Sequence, residues 1–231
     1  MNEDGRPRVA GIVLAGGRSR RFGEDKLGLD VGGVPLLDRA VAAVAGVADE
    51  VVVVVGAGQA EPDLRRLDRP PRVVHDPVPD QGPLVGLVAG LRSADAPVAV
   101  VVGGDMPFVA PAVLGLLVDA LGTEGEGGGT PGGAATLALL QDSEAATPLP
   151  CALRVRPSID AAERLLETGA RSLRSLTGPL VTATIDQATW RRLDPDGLTL
   201  VDVDTPDDLR ALGAAREARV GRRAGPGRGV E

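Results

Sequence analysis

Apolar residues in this chain fall into short runs, separated by stretches of helical spacing, and most runs end in glycine. Positions 9–14 form an apolar run leading into Ala15-Gly16-Gly17, the pattern of a buried strand that feeds a glycine loop. Positions 34–47 carry apolar residues at helical spacing behind Pro35 and predict a helix. Positions 51–55 are all valine and stop at Gly56. β-Branched residues without alternation predict a strand buried on both faces, hence a parallel sheet. A helix is expected over 63–67 and a short strand at 73–74, on either side of Pro70-Pro71. The pattern then predicts a helix over 84–91, opening just after Pro83. A valine-rich strand over 98–102 ends in Gly103-Gly104-Asp105, and a helix follows over 111–121. Strand and helix alternate throughout, which implies a doubly wound parallel sheet.

The second half is less regular. Positions 122–133 are mostly Gly, with Thr, Glu and one Pro, and read as a surface loop because strand-like segments resume directly afterwards. Strands are expected over 134–140 and 149–155, joined by a polar turn, then a helix over 158–166 with Pro157 and Ser158 at its start. Two more strands, over 180–185 and 198–203, precede a final helix over 206–215. Arg and Gly dominate beyond residue 216, as in a frayed tail.

Composition narrows the partners. The 231 residues suffice for one α/β core, and a hydrophobic share of 43 % excludes wholesale disorder. With two Phe, one Trp, no Tyr and a net charge of −7, the chain lacks the aromatic platforms and positive field that nucleic acid requires. Cys151 is the single cysteine, so no intrachain disulfide can form. A polar N-terminus and the absence of a bilayer-length apolar run lead to the expectation of a soluble, cytoplasmic protein with no membrane partner.

Four segments carry candidate chemistry. The first runs from Leu14 through Ala15, Gly16, Gly17, Arg18, Arg20 and Arg21 to Lys26. Paired glycines let backbone N–H groups approach a ligand, and the concentrated positive charge suits a polyphosphate. A glycine turn with solvated arginines is the bland alternative. The segment is neither a P-loop nor a dinucleotide fingerprint. The second segment, Gly104-Asp105-Met106-Pro107, sets a carboxylate at the C-terminal end of a buried strand. Ligands bind at that edge of an open parallel sheet, and Asp105 there can hold Mg²⁺ or merely close a turn. The third is His75-Asp76 with Gln81-Gly82-Pro83, where Asp76 and the backbone at Gly82 could meet a base or sugar. His75 and Cys151 read as a turn residue and a core residue. The fourth is Asp202-Val203-Asp204-Thr205-Pro206. Strand alternation would put Asp202 and Asp204 on one face, within reach of a metal, while Thr205 N-caps the last helix.

Taken together, LAGGRSRRFGEDK, DPVPDQGPLVGL, GGDMPFV, PLPCAL, GARSL and DVDTPDDL occur in the order found in the nucleotidyltransferase family that includes the molybdenum cofactor guanylyltransferases, and the chain resembles that family over residues 9–213. The resemblance implies a Rossmann-like α/β domain over 9–215, with a mostly parallel, mixed, twisted sheet and helices on both faces. Residues 1–8 and 216–231 would be flexible termini. It implies that Leu14, Ala15, Gly16 and Gly17 meet GTP through the backbone, Lys26 the phosphates, Asp76 the guanosine end, and Asp105 the Mg²⁺ cofactor. Gly56 and Gly82 join the nucleotide contacts, Arg18 helps neutralise phosphate, and Asp204 is a second metal candidate. The family often has Asn at the position of Gly56, and guanylyltransferases often have Asn where Asp202 and Asp204 stand. The reaction implied moves GMP from GTP to the terminal phosphate of molybdopterin or the molybdenum cofactor, releasing pyrophosphate. Proteins that deliver or receive the cofactor would be further partners. The alternatives are transfer from CTP or another NTP to a different phosphate, a non-catalytic nucleotide-binding chaperone, and a nicotinamide dehydrogenase.

Overall fold

The computed structural model describes residues 6–16, 29–30, 32–79, 81–122, 134–203 and 208. Seven strands form one mixed sheet, in the order β3-β2-β1-β4-β6-β5-β7. They are β1 (Val9–Leu14), β2 (Glu50–Val55), β3 (Arg72–His75), β4 (Val98–Gly103), β5 (Leu137–Asp142), β6 (Ala145–Arg154) and β7 (Thr182–Ile185). The helices are α1 (Leu36–Ala45), α2 (Pro83–Arg92), α3 (Pro111–Asp119), α4 (Val155–Glu167) and the short α5 (Gln187–Trp190).

The valine runs are buried on both faces because helices cover both. Ile12, Val52, Val54 and Val101 pack with Leu84, Leu87 and Leu91 of α2 on one face. Val13, Val53, Val100 and Val102 pack with Leu37, Val41 and Val44 of α1 and Leu114 and Leu117 of α3 on the other. Each such side chain withdrawn from water contributes roughly 1.5–3 kcal/mol, which favours this two-sided packing over an exposed face. β1 pairs in parallel with β2 on one side and β4 on the other, and β2 pairs in parallel with β3. The chain therefore reverses its direction of winding between β1 and β4, a topological switch point whose crevice opens at the C-terminal strand ends.

The expected sheet is confirmed as mixed: β6 runs antiparallel to both β4 and β5, while β7 is parallel to β5. The hairpin between β5 and β6 is tighter than its sequence suggested, turning at Ser143 with φ 54. Three local expectations are corrected. Residues 63–67 are not helical; the Asp63 carboxylate accepts from the Arg65 backbone N–H at 3.3 Å, and Arg66 turns away to the buried Asp38. Local side-chain bonds of this kind displace helical ones. Helix α4 starts at Val155 rather than Ser158, so Pro157 lies in its first turn and the Ser158 hydroxyl is buried without a hydrogen-bond partner. A Pro costs little there, because first-turn N–H groups have no intrahelical acceptor. Residues 198–203 form no strand. Leu198–Leu200 is a 3-10 turn, in which the Asp194 carboxylate accepts from Thr199 N at 2.6 Å and Thr199 Oγ1 accepts from Ala110 N at 3.1 Å. These bonds fasten the segment beside the start of α3 instead of at the sheet edge. The loop at 123–133 and nearly all of the helix expected at 206–215 lie outside the described residues.

Candidate active site

The C-terminal end of the sheet concentrates the sequence candidates. β1 stops at Leu14, and Ala15 N then donates to Val54 O at 2.7 Å, so the chain leaves the sheet still attached to β2. This brings Gly16 against the end of β2, where a Cβ on it would stand 3.1 Å from Gly56 N. The two strand ends therefore approach closely, and a side chain at 16 would need the backbone at Gly56 to give by a few tenths of an ångström. Asp76 continues the pattern one strand further out, with its N–H on Val55 O at 2.8 Å and its carboxylate accepting from Val78 N at 3.0 Å. The other carboxylate oxygen lies over the first turns of α2, 3.6 Å from where a Cβ of Gly86 would be.

Gly82 precedes α2 with φ 82, a left-handed conformation open to glycine at little cost. A side chain there would meet Arg171 O at 2.8 Å. The Arg171 segment braces this turn. Its carbonyl accepts from Leu84 N at 3.2 Å, and its guanidinium donates to Gln81 Oε1 at 2.9 Å. Leu14, Gly16, Gly56, Asp76, Gly82 and Pro83 thus line one open cleft of about 500 Å³, with Gln59 and Gln81 in its wall. Replacing Gly82 with valine should destabilise the fold by roughly 1–3 kcal/mol, because the turn must relieve both strain and clash. A thermal melt would read this, and an unchanged midpoint would show that the turn tolerates a side chain.

Asp105 stands one strand across. Gly104 N donates to Leu14 O at 2.9 Å, so the turn bearing Asp105 is bonded to the last residue of β1. From the other side, Val203 N donates to Asp105 O at 2.9 Å, which brings the fourth sequence segment, Asp202 included, to the same turn. The structure therefore joins Leu14, Ala15, Gly16, Gly56, Asp76, Gly82 and Asp105 along one edge. Gly17, Arg18, Lys26 and Asp204 lie outside the described residues. Asp202 follows the 3-10 turn in irregular backbone rather than standing in a strand. Gln59, Gln81 and Arg171 received no role from sequence. Only Gln81 and Arg171 had a signal, as members of quoted motifs.

His75 is exposed, its Nε2 3.3 Å from Gln59 O, in keeping with a turn residue. Cys151 is buried, and loss of water around it pushes the thiol up to about 12. A thiol so rarely ionised is a poor nucleophile at neutral pH. It lines a second cavity of about 380 Å³ on the α2 side of the sheet, together with Leu87, Leu139, Arg174 and Thr184. Among the described residues no group of three or more His, Cys, Asp or Glu could cage a metal. No helix among them is long and apolar enough to cross a membrane.

The MobA-like NTP transferase domain matches residues 11–184. A probable molybdenum cofactor guanylyltransferase of Chloroflexus aggregans is 35% identical over 216 residues, covering 89% of this chain and 94% of that protein. Another, from Haloferax mediterranei, is 32% identical over 210 residues, covering 90% and 94%. Among solved structures, molybdopterin-guanine dinucleotide biosynthesis protein A from Archaeoglobus fulgidus shares the fold with a TM-score of 0.68 at 24% identity, over 90% of this chain and 99% of that one.

Proposed function

Because the chain belongs to the MobA-like NTP transferase domain family, we propose that it moves GMP from GTP onto the terminal phosphate of molybdopterin or the molybdenum cofactor and releases pyrophosphate. The observation that carries this reading is the cleft at the switch point, bordered by glycine turns, Asp76 and Leu14, the last of which accepts a main-chain bond from the turn that bears Asp105. Names of the relatives support the guanine nucleotide and the acceptor.

An oxygen of the acceptor phosphate attacks the α-phosphorus in line. A new P–O bond forms there, the bond to the bridging oxygen of the β-phosphate breaks, and pyrophosphate carries that electron pair away. A phosphate monoester is already anionic at neutral pH, so the attack needs no general base. What the protein must supply is positioning and charge neutralisation between two anions. Glycine backbone at 16, 56 and 82 admits the nucleotide closely, and Asp76 takes hydrogen bonds from its base or sugar. Lys26 and Arg18, on the basic segment after Gly17, neutralise the phosphates. The donor set suits Mg²⁺, which accepts one or two carboxylates with water and substrate phosphates completing its shell. Asp105 would hold it, with Asp204 as a second ligand, and the ion when bound would neutralise charge on the α-phosphate. Work in the cytoplasm belongs to the same proposal, and a free thiol fits a reducing compartment.

Pyrophosphate release assayed with GTP, CTP, ATP and UTP, with and without molybdopterin, tests the proposal. Release with GTP that depends on molybdopterin is expected. Release with CTP instead would change the base, and GTP binding without any release would favour a nucleotide-binding chaperone.

A further inference from the structure

The turn into α2 holds a half-buried side chain, Gln81, that the function above leaves unused. Arg171 fixes it from behind. The guanidinium is itself anchored at the end of α4, where Nη1 donates to Leu166 O at 3.2 Å and to Ala170 O at 2.8 Å, and its Nε donates to Gln81 Oε1 at 2.9 Å. The Arg171 main chain is tied to the same turn, since its carbonyl accepts from Leu84 N at 3.2 Å. A guanidinium only donates, so the carboxamide must turn its oxygen towards it, and this bond settles which end of the amide is which. Gln81 lines the cleft, and its amide nitrogen makes no hydrogen bond among the described residues.

We infer that Gln81 is a further nucleotide-binding residue: its amide nitrogen donates to an oxygen of the guanosine, the O6 carbonyl or a ribose hydroxyl, and Arg171 is the residue that positions it. Among the described residues lining the cleft none is a cation, and Asp76 is an anion. Such a wall repels phosphate and leaves this stretch to the uncharged nucleoside, for which a neutral donor is suited. Hydrogen bonds in a chain polarise one another, so the bond from the guanidinium to Oε1 makes the amide nitrogen a better donor. The inference rests on the cleft being the GTP site.

Titration calorimetry of the full chain with GTP and Mg²⁺ tests it, using Gln81→Glu and Gln81→Met. The first keeps an acceptor for Arg171 and loses the donors. The second keeps the length without a charge and loses both. About a tenfold loss of affinity, the size of one hydrogen bond, is expected for each. Unchanged affinity in Gln81→Glu would leave the side chain only a bracing role, and unchanged affinity in Gln81→Met would leave only repulsion by the new carboxylate; either result overturns the inference. Two analogues identify the acceptor, since the triphosphate of 2-aminopurine riboside lacks O6 and 2′,3′-dideoxy-GTP lacks the ribose hydroxyls. One of them should bind the wild type and Gln81→Met equally, and an equal loss with both would take the amide off the nucleoside. Arg171→Ala should weaken GTP binding in the wild type and add no further loss to Gln81→Met; a further loss would remove Arg171 as the positioning residue. Wild-type protein that binds no GTP would sink the nucleotide site itself, before any variant is compared.

Discussion

Asp105→Asn should lose roughly 10²–10³-fold in kcat for pyrophosphate release while the protein keeps its fold, the scale seen when one element of electrostatic stabilisation is removed from a reacting centre. The substitution is nearly isosteric and removes the charge with which this residue would hold Mg²⁺ beside the α-phosphate. The turn itself should survive. Main-chain bonds help attach it to the rest of the molecule, Gly104 N to Leu14 O at 2.9 Å and Val203 N to Asp105 O at 2.9 Å, and a change of side chain leaves these in place. Steady-state kinetics with GTP, Mg²⁺ and molybdopterin, accompanied by a thermal melt, separates the two effects. A variant that melts like the wild type and turns over at a similar rate would show that Asp105 has no part in the chemistry.

Lys26→Ala should lower kcat/KM for GTP roughly 10²-fold, because a charge-assisted contact to phosphate is stronger than a neutral one and bears the repulsion between donor and acceptor anions. Lys26→Arg keeps the charge but presents a planar fork in place of a compact ammonium, so only part of the loss should return. Lys26 closes the basic segment that follows Gly16, just after β1 ends beside both β2 and β4. Rates for Lys26→Ala within a few-fold of the wild type would remove that segment from the phosphate site.

These two residues also mark how far reading the chain could go. Asp105 stood out because a valine-rich strand ends in Gly-Gly-Asp, and ligands bind outside the carboxyl ends of strands in open parallel sheets. The cleft glycines were recognisable for a similar reason, since each stands where a run of apolar residues stops. Gln59 left no such trace. It is a polar residue in a polar loop, and its place in the cleft wall comes from folding back onto Gly56. Arg171 belongs to a motif, yet nothing local says that it braces Gln81 and Gly82, 90 positions earlier in one of those contacts. The misread strand at 198–203 has the same origin: apolar alternation is present, but side-chain bonds from Asp194 and Thr199 draw the segment to α3.

By itself, the order of residues determined the alternation of strands and helices, the sheet edge at which the cleft opens, and the glycines and carboxylates found there. Those properties follow from burial and from backbone geometry, which act residue by residue and so leave a periodic or positional mark. Only the tertiary structure decided the reversed direction of β6, the return of residues 194–203 to Asp105, and which side chains wall the cleft. Each of these depends on hydrogen bonds between partners whose pairing no local pattern records, and such bonds exist only once the sheet has brought the partners together.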